Sequence, residues 1–170
     1  MTAYAVTCSQ NIDEVGFQFW TTIDSGRAAY YSVNGQNWTT SGLITSANIV
    51  WTGWDFSDDG LGVYVAADRT SAAVIAPTTA AAATTNRAAS LPAGTAWKKC
   101  IYGNGSFVSV CTSTTSGAYM RHKEGISWTA TTLPSAAAWS LLAFGNNTFV
   151  TVAPSSTASA YSVDNGLTWS

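Results

Sequence analysis

Charge is what this chain has least of. Asp, Glu, Lys and Arg make up 9% of its 170 residues, against ~25% in an ordinary globular chain. Solubility must therefore come from Ser, Thr, Asn and Gly. The formal net charge is −2 with seven Lys plus Arg, which leaves no basic stripe to track a phosphate backbone and argues against a nucleic-acid partner. Histidine occurs once, as His122, between Arg121 and Lys123. No Ser or Cys is placed by sequence to partner it, so it reads as a surface turn residue. The three cysteines, Cys8, Cys100 and Cys111, cannot all pair within one chain and match no zinc spacing. They read as small buried thiols.

Long apolar runs are also missing. No segment reaches the ~18 residues of a membrane-spanning helix, so no membrane insertion is expected. The opening MTAYAVTCSQNIDEVG has neither the basic start nor the apolar stretch of a signal peptide. Apolar residues at helical spacing with caps at both ends are absent over any useful length, so the fold class expected is all-β.

What the chain does have is a repeat. Trp97 falls on Trp139, Gly103-Asn104 on Gly145-Asn146, Phe107-Val108 on Phe149-Val150, and Ala118-Tyr119 on Ala160-Tyr161, each 42 residues apart. After one inserted residue, Gly125-Ile-Ser-Trp128 falls on Gly166-Leu-Thr-Trp169. Two earlier copies are weaker. Trp54 is placed under Trp97 and Tyr64-Val65 under Phe107-Val108, a shift of 43. Phe19-Trp20 and the stretch Ala29–Trp38 (AYYSVNGQNW) echo the last copy, one residue shorter. Approximate repeats 1–43, 44–92, 93–134 and 135–170 then account for a single domain of 170 residues.

Each copy reads as short strands joined by turns. In the last, Trp139 to Phe144 is the first strand and Phe144–Asn147 (FGNN) supplies residues that tolerate positive φ. Thr148–Ala153 (TFVTVA) alternates with period two, Ser159–Val163 is the third strand, and Leu167–Ser170 begins a fourth. Tandem four-stranded units of this length are the signature of a β-propeller, here four antiparallel blades of about 42–45 residues. Blades cover each other's apolar faces, which is how so few charges suffice. The last strand is short. Either it pairs with other strands to close a ring, or residues of a longer parent chain complete it.

Ser162-Val-Asp164-Asn-Gly166-Leu-Thr168-Trp169 matches the Asp-box pattern S-x-D-x-G-x-T-W at every fixed position. The chain thus resembles the BNR-type repeats of sialidase-like propellers. Arg121–Trp128 keeps half of the pattern, and Ser32-Val-Asn34-Gly35-Gln-Asn-Trp38 keeps its two ends. In the second copy, Thr79–Leu91, it has dissolved. The resemblance implies a structural hairpin of Ser162, Asp164, Gly166, Thr168 and Trp169. Short Asx-turn chemistry would do the same unaided. Trp97, Trp128, Trp139, Phe107, Phe149, Tyr119 and Tyr161 are the structural repeat positions. The longer phrase, W-x-x-x-A/I-Y/F-G-N-x-x-F-V-x-V followed by A-Y-S-x-D-x-G-x-x-W-T and L-P, is similar to propeller repeats of bacteriophage tail-fibre and other virion proteins. It covers residues 93–170 well and 1–92 loosely.

That resemblance implies a noncatalytic virion structural protein, made in the host cytoplasm, serving as a tail fibre, tail tip or decoration module. Expected partners are other virion proteins, further copies of the chain, and a host-surface glycan. A stand-alone lectin-like propeller is the alternative, and an enzyme fragment a remote third. Sialidase chemistry would need converging arginines, whereas Arg27, Arg69, Arg87 and Arg121 do not recur at one blade position. Asp55, Asp58, Asp59 and Asp68 read as solvated turn acids rather than a two-carboxylate glycosidase pair. Asp55–Gly60 lacks the spacing and final Glu of a calcium loop. No enzyme, metal or cofactor is therefore expected. Trp20 and Trp51, which do not recur, are the better candidates for exposed aromatic contacts.

Overall fold

In the computed structural model the described residues are 3–10, 17–23, 28–45, 51–58, 62–66, 71–75, 86–92, 96–112, 115–121 and 127–170. They carry fifteen strands and no helix. The first sheet is built from β1 (Ala3–Gln10), β2 (Phe17–Ile23), β3 (Ala28–Ser32) and β4 (Thr39–Thr45). The second has β5 (Trp51–Phe56), β6 (Gly62–Ala66), β7 (Ser71–Ile75) and β8 (Asn86–Ser90). The third has β9 (Trp97–Gly103), β10 (Ser106–Cys111), β11 (Ser116–Arg121) and β12 (Thr129–Thr132). The fourth has β13 (Leu141–Gly145), β14 (Thr148–Val152) and β15 (Ser159–Ser162). Every sheet is an antiparallel meander in chain order.

Turn chemistry explains the tightest hairpins. Asn146 and Asn147 take φ of 48° and 59°, and Asn104 and Gly105 take 46° and 77°. Two successive positive values define the turn whose twist suits a two-residue hairpin, and Asn and Gly reach it most cheaply. In the fourth sheet the expected fourth strand is present only as Ser170. Its N–H donates to the Tyr161 carbonyl at 3.0 Å and its carbonyl accepts from Tyr161 N–H at 2.9 Å. Leu167–Trp169 belong to the hairpin, so pairing starts at the last of the four residues.

The sheets are arranged in sequence through their first strands. β1 meets β5, β5 meets β9 and β9 meets β13, while among the described residues no comparable contact joins β13 to β1. Between the second and third sheets the spacing is close enough that a Cβ on Gly53 would stand 2.5 Å from the Cys100 backbone nitrogen. Only glycine fits there.

Among the described residues, two apolar clusters follow from this stacking. Leu91, Trp97, Cys100, Phe107, Cys111, Ala118 and Met120 form one, with Tyr102 and Trp128 packed against it. The other joins the third and fourth sheets through Ile101, Val108, Val110, Leu133, Trp139, Leu142 and Phe149. β10, between the two, is buried at every residue. β14 instead alternates, with Phe149 and Thr151 buried and Val150 exposed. The third sheet is covered on both faces and the fourth on one.

The 42-residue repeat reappears in three dimensions. Tyr102 and Phe107 are tilted rings 4.9 Å apart, and Phe144 and Phe149 repeat the pair at 4.6 Å. Ser109 Oγ donates to the Lys99 carbonyl and Thr151 Oγ1 to the Leu141 carbonyl, both at 2.8 Å. The second sheet departs from its expected alignment. Trp54 lies opposite Tyr64, whereas Trp97 lies opposite Cys111. With Tyr64 matched to Phe107, Trp54 takes the place of Tyr102, not of Trp97. The connection between β5 and β6 spans residues 57–61, against two residues in the third sheet, and the extra length slides the first strand.

Candidate functional site

The hairpin after β15 is the most completely determined local structure. Ser162 is buried, its Oγ donating to Asp164 Oδ1 at 2.7 Å and accepting the Gly166 N–H at 2.9 Å. Asp164 Oδ1 also accepts the Thr168 N–H at 2.9 Å, and Asp164 Oδ2 accepts from the Thr168 hydroxyl. Trp169 Nε1–H donates to the Gly166 carbonyl at 3.2 Å. Asn165 and Gly166 turn the chain with φ of 63° and 87°. Both carboxylate oxygens are engaged by the hairpin's own donors. Partial desolvation would raise the Asp164 carboxyl, but the bonds from Thr168 and Ser162 outweigh it and hold the group below the usual carboxylate range.

The same device closes β3. Ser32 Oγ donates to Asn34 Oδ1 at 3.1 Å and accepts the Gly35 N–H at 2.9 Å. Asn34 Oδ1 accepts from Gln36 and Asn37 N–H, each at 2.9 Å. Ser32 and Ser162 are matched by register too, since Phe19 faces Ser32 and Phe149 faces Ser162. The third member, around residues 122–126, lies outside the described residues, as does Thr79–Thr85 of the second copy.

The fourth sheet's hairpin is seated on the third sheet. A Cβ on Gly166 would stand 2.7 Å from Val108 Cγ2 and 3.3 Å from Tyr119 Cβ. Asn104 Nδ2 donates to Asn165 Oδ1 at 2.8 Å, and Thr131 Oγ1 to the Leu167 carbonyl at 2.8 Å. Thus Ser162, Asp164, Gly166, Thr168 and Trp169 fix one sheet's outer edge to its neighbour.

Of the repeat positions, Trp97, Trp139, Phe107 and Phe149 are fully buried, and Trp128 and Tyr119 are half-buried. Tyr161 is 51% exposed although its repeat partner Tyr119 is half-buried. Cys100 and Cys111 are buried and form no disulfide. Burial pushes the Cys100 thiol well up, and the nearby Asp55 carboxylate adds to this against the opposing pull of Lys99.

Asp55 corrects an expectation. It is not a solvated turn acid but a half-buried strand residue. Its Oδ2 accepts the Tyr102 N–H of β9 and its Oδ1 the Phe56 N–H, both at 2.9 Å. A bond between sheets leaves no local signal in the sequence. Asp58 is exposed, while Asp59, Asp68, Arg27, Arg69 and His122 lie outside the described residues. Trp20 and Trp51 fall in β2 and β5, their side chains outside what is described. Among the described residues, no three of His, Cys, Asp or Glu converge as a metal site requires.

No protein-family model matches the sequence, and no curated protein does. Solved structures do match. A streptogramin B lyase aligns with 95% of this chain and 52% of its own at 15% identity, with a TM-score of 0.74. A catalytically inactive virginiamycin B lyase from Staphylococcus aureus, with quinupristin, aligns with 96% and 53% at 12% identity and a TM-score of 0.75. YCF48 from Cyanidioschyzon merolae aligns with 99% and 55% at 12% identity and a TM-score of 0.66. These are β-propellers, and the fold of this chain is a β-propeller fold. The chain spans about half the length of the solved proteins it matches.

The likeness corrects the expectation that the chain is not an enzyme. Lyases share its architecture, so scarce arginine and a single histidine are no ground for excluding catalysis. At these identities the likeness carries the fold alone.

Proposed function

We propose that the chain is an Asp-box repeat propeller of a bacteriophage virion, contributing to a tail fibre, tail tip or decoration module. In that setting it meets other virion proteins and the host-surface glycan. The observation that carries this reading is the hairpin device made twice with the same bonds, Ser32–Asn34–Gly35 and Ser162–Asp164–Gly166. It sits within the sequence phrase that resembles virion propeller repeats. The charge-poor, Ser/Thr-rich composition supports the same assignment. Mass spectrometry of purified particles tests it. The chain should appear at stoichiometric copy number, and its absence from intact particles overturns the reading.

A further inference from the structure

The fourth sheet carries a row of apolar side chains on its open face. Ala143 faces Val150, and Val150 faces Tyr161. Val150 is 42% exposed and Tyr161 51%. One repeat earlier the same positions are Ile101, Val108 and Tyr119, in the same register. There Ile101 and Val108 are buried and Tyr119 is half-buried. What covers them is the next sheet, through Trp139, Leu142, Phe149 and the Gly166 turn. The open face is therefore a sheet-to-sheet contact surface whose cover is, by the pattern of this same chain, another copy of the repeat.

The matching half of such a contact lies open at the other end. Gly35 and Trp38 of the first hairpin occupy the places of Gly166 and Trp169. Trp169 packs into the cluster between the third and fourth sheets, whereas Trp38 is 38% exposed and Gly35 is exposed. β1 and β13 do not meet comparably among the described residues, so the described part of the first sheet does not cover this face. It spans about half the length of the propellers it matches, so two copies equal one of them in extent.

We propose that the open face of the fourth sheet docks the first sheet of a second copy, with Gly35 and Trp38 of one copy seated on Val150 and Tyr161 of the other. The contact is head-to-tail, and two of them close a two-copy ring. This rests on the repeat geometry and not on the virion assignment.

Light scattering coupled to size exclusion tests it on the 170-residue chain. The expected mass is twice 17.8 kDa. Val150→Arg alone and Trp38→Glu alone should each weaken the dimer on the order of 100-fold, because each buries an unpaired charge. Mixing the two variants should restore a dimer, since one junction then pairs Arg with Glu and the other is unaltered. Tyr161→Arg, on the same exposed row, provides a second reading if Val150→Arg folds poorly by circular dichroism. A monomeric parent chain overturns the proposal, the face then belonging to other residues or another protein. So does a dimer indifferent to Val150→Arg and Tyr161→Arg. Loss with Val150→Arg but not Trp38→Glu overturns it as well, because the fourth sheet would then be pairing with itself.

Discussion

Asp55 and Tyr102 join the second and third sheets by one bond, the Tyr102 N–H donating to Asp55 Oδ2 at 2.9 Å. Tyr102 sits in β9, and its repeat partner Phe144 has no such acid before it. Removing the acceptor by Asp55→Ala should leave this N–H unpaired between sheets and cost about 1–3 kcal/mol. For a domain of this size that lowers Tm by roughly 2–4 °C per kcal/mol. Asp55→Asn keeps an acceptor oxygen and should cost distinctly less. Thermal melts of the two variants check the order, and equal losses would sink the role assigned to Asp55.

Gly166 combines two constraints. Its φ of 87° lies in the left-handed region, and its Cα approaches Val108 so closely that a Cβ would stand 2.7 Å from Cγ2. Gly166→Ala should cost about 1–2 kcal/mol for the backbone alone, with crowding against Val108 in addition. Gly105, with φ of 77° and open space around its Cβ direction, carries only the first cost. Gly105→Ala should therefore melt above Gly166→Ala, and the reverse order would mean that the turn does not seat on the third sheet.

How far the sequence was legible follows from where each contact is made. The third and fourth copies could be read because their first two hairpins have equal length, so the 42-residue spacing survives into register, as in Val108–Tyr119 and Val150–Tyr161. The Asn146-Asn147 turn and the Ser162–Trp169 hairpin were legible because their bonds are local. Trp54 was misplaced because the longer connection at 57–61 changes strand register without changing the repeat spacing. Asp55 and Gly53 were missed because their partners, Tyr102 and Cys100, lie one sheet away. The exposure of Tyr161 was hidden for the complementary reason: the sequence shows that it repeats Tyr119, not that the next sheet is lacking on its face.

Cys100 is fully buried, and burial with the adjacent Asp55 charge pushes its thiol well above the ordinary range. Since the thiolate is the reactive form, Cys100 should resist iodoacetamide in the native protein at neutral pH. Cys111, equally buried, should be shielded with it. Peptide mapping after native and denatured labelling checks this, with both cysteines modified only in denaturant. Prompt native labelling of Cys100 would show that the second and third sheets separate.

Asp164 makes the last hairpin sensitive to acid. Its folded carboxyl is held below the unfolded range by bonds from Thr168 and Ser162, which outweigh its partial desolvation. A group lowered on folding stabilises the fold once pH is above its unfolded value, about 3.9 for Asp. That contribution is lost as pH falls below this value and through the lower folded one. Above about pH 5 it should be complete and flat. Asp164→Asn retains one acceptor oxygen but cannot titrate, so the parent's advantage over the variant should shrink steadily from pH 5 to pH 2. Melting curves of the pair across that range measure it. An advantage that stays constant down to pH 2 would show that the carboxylate charge has no part in holding the hairpin, leaving only the acceptor geometry that Asn34 already provides at the first one.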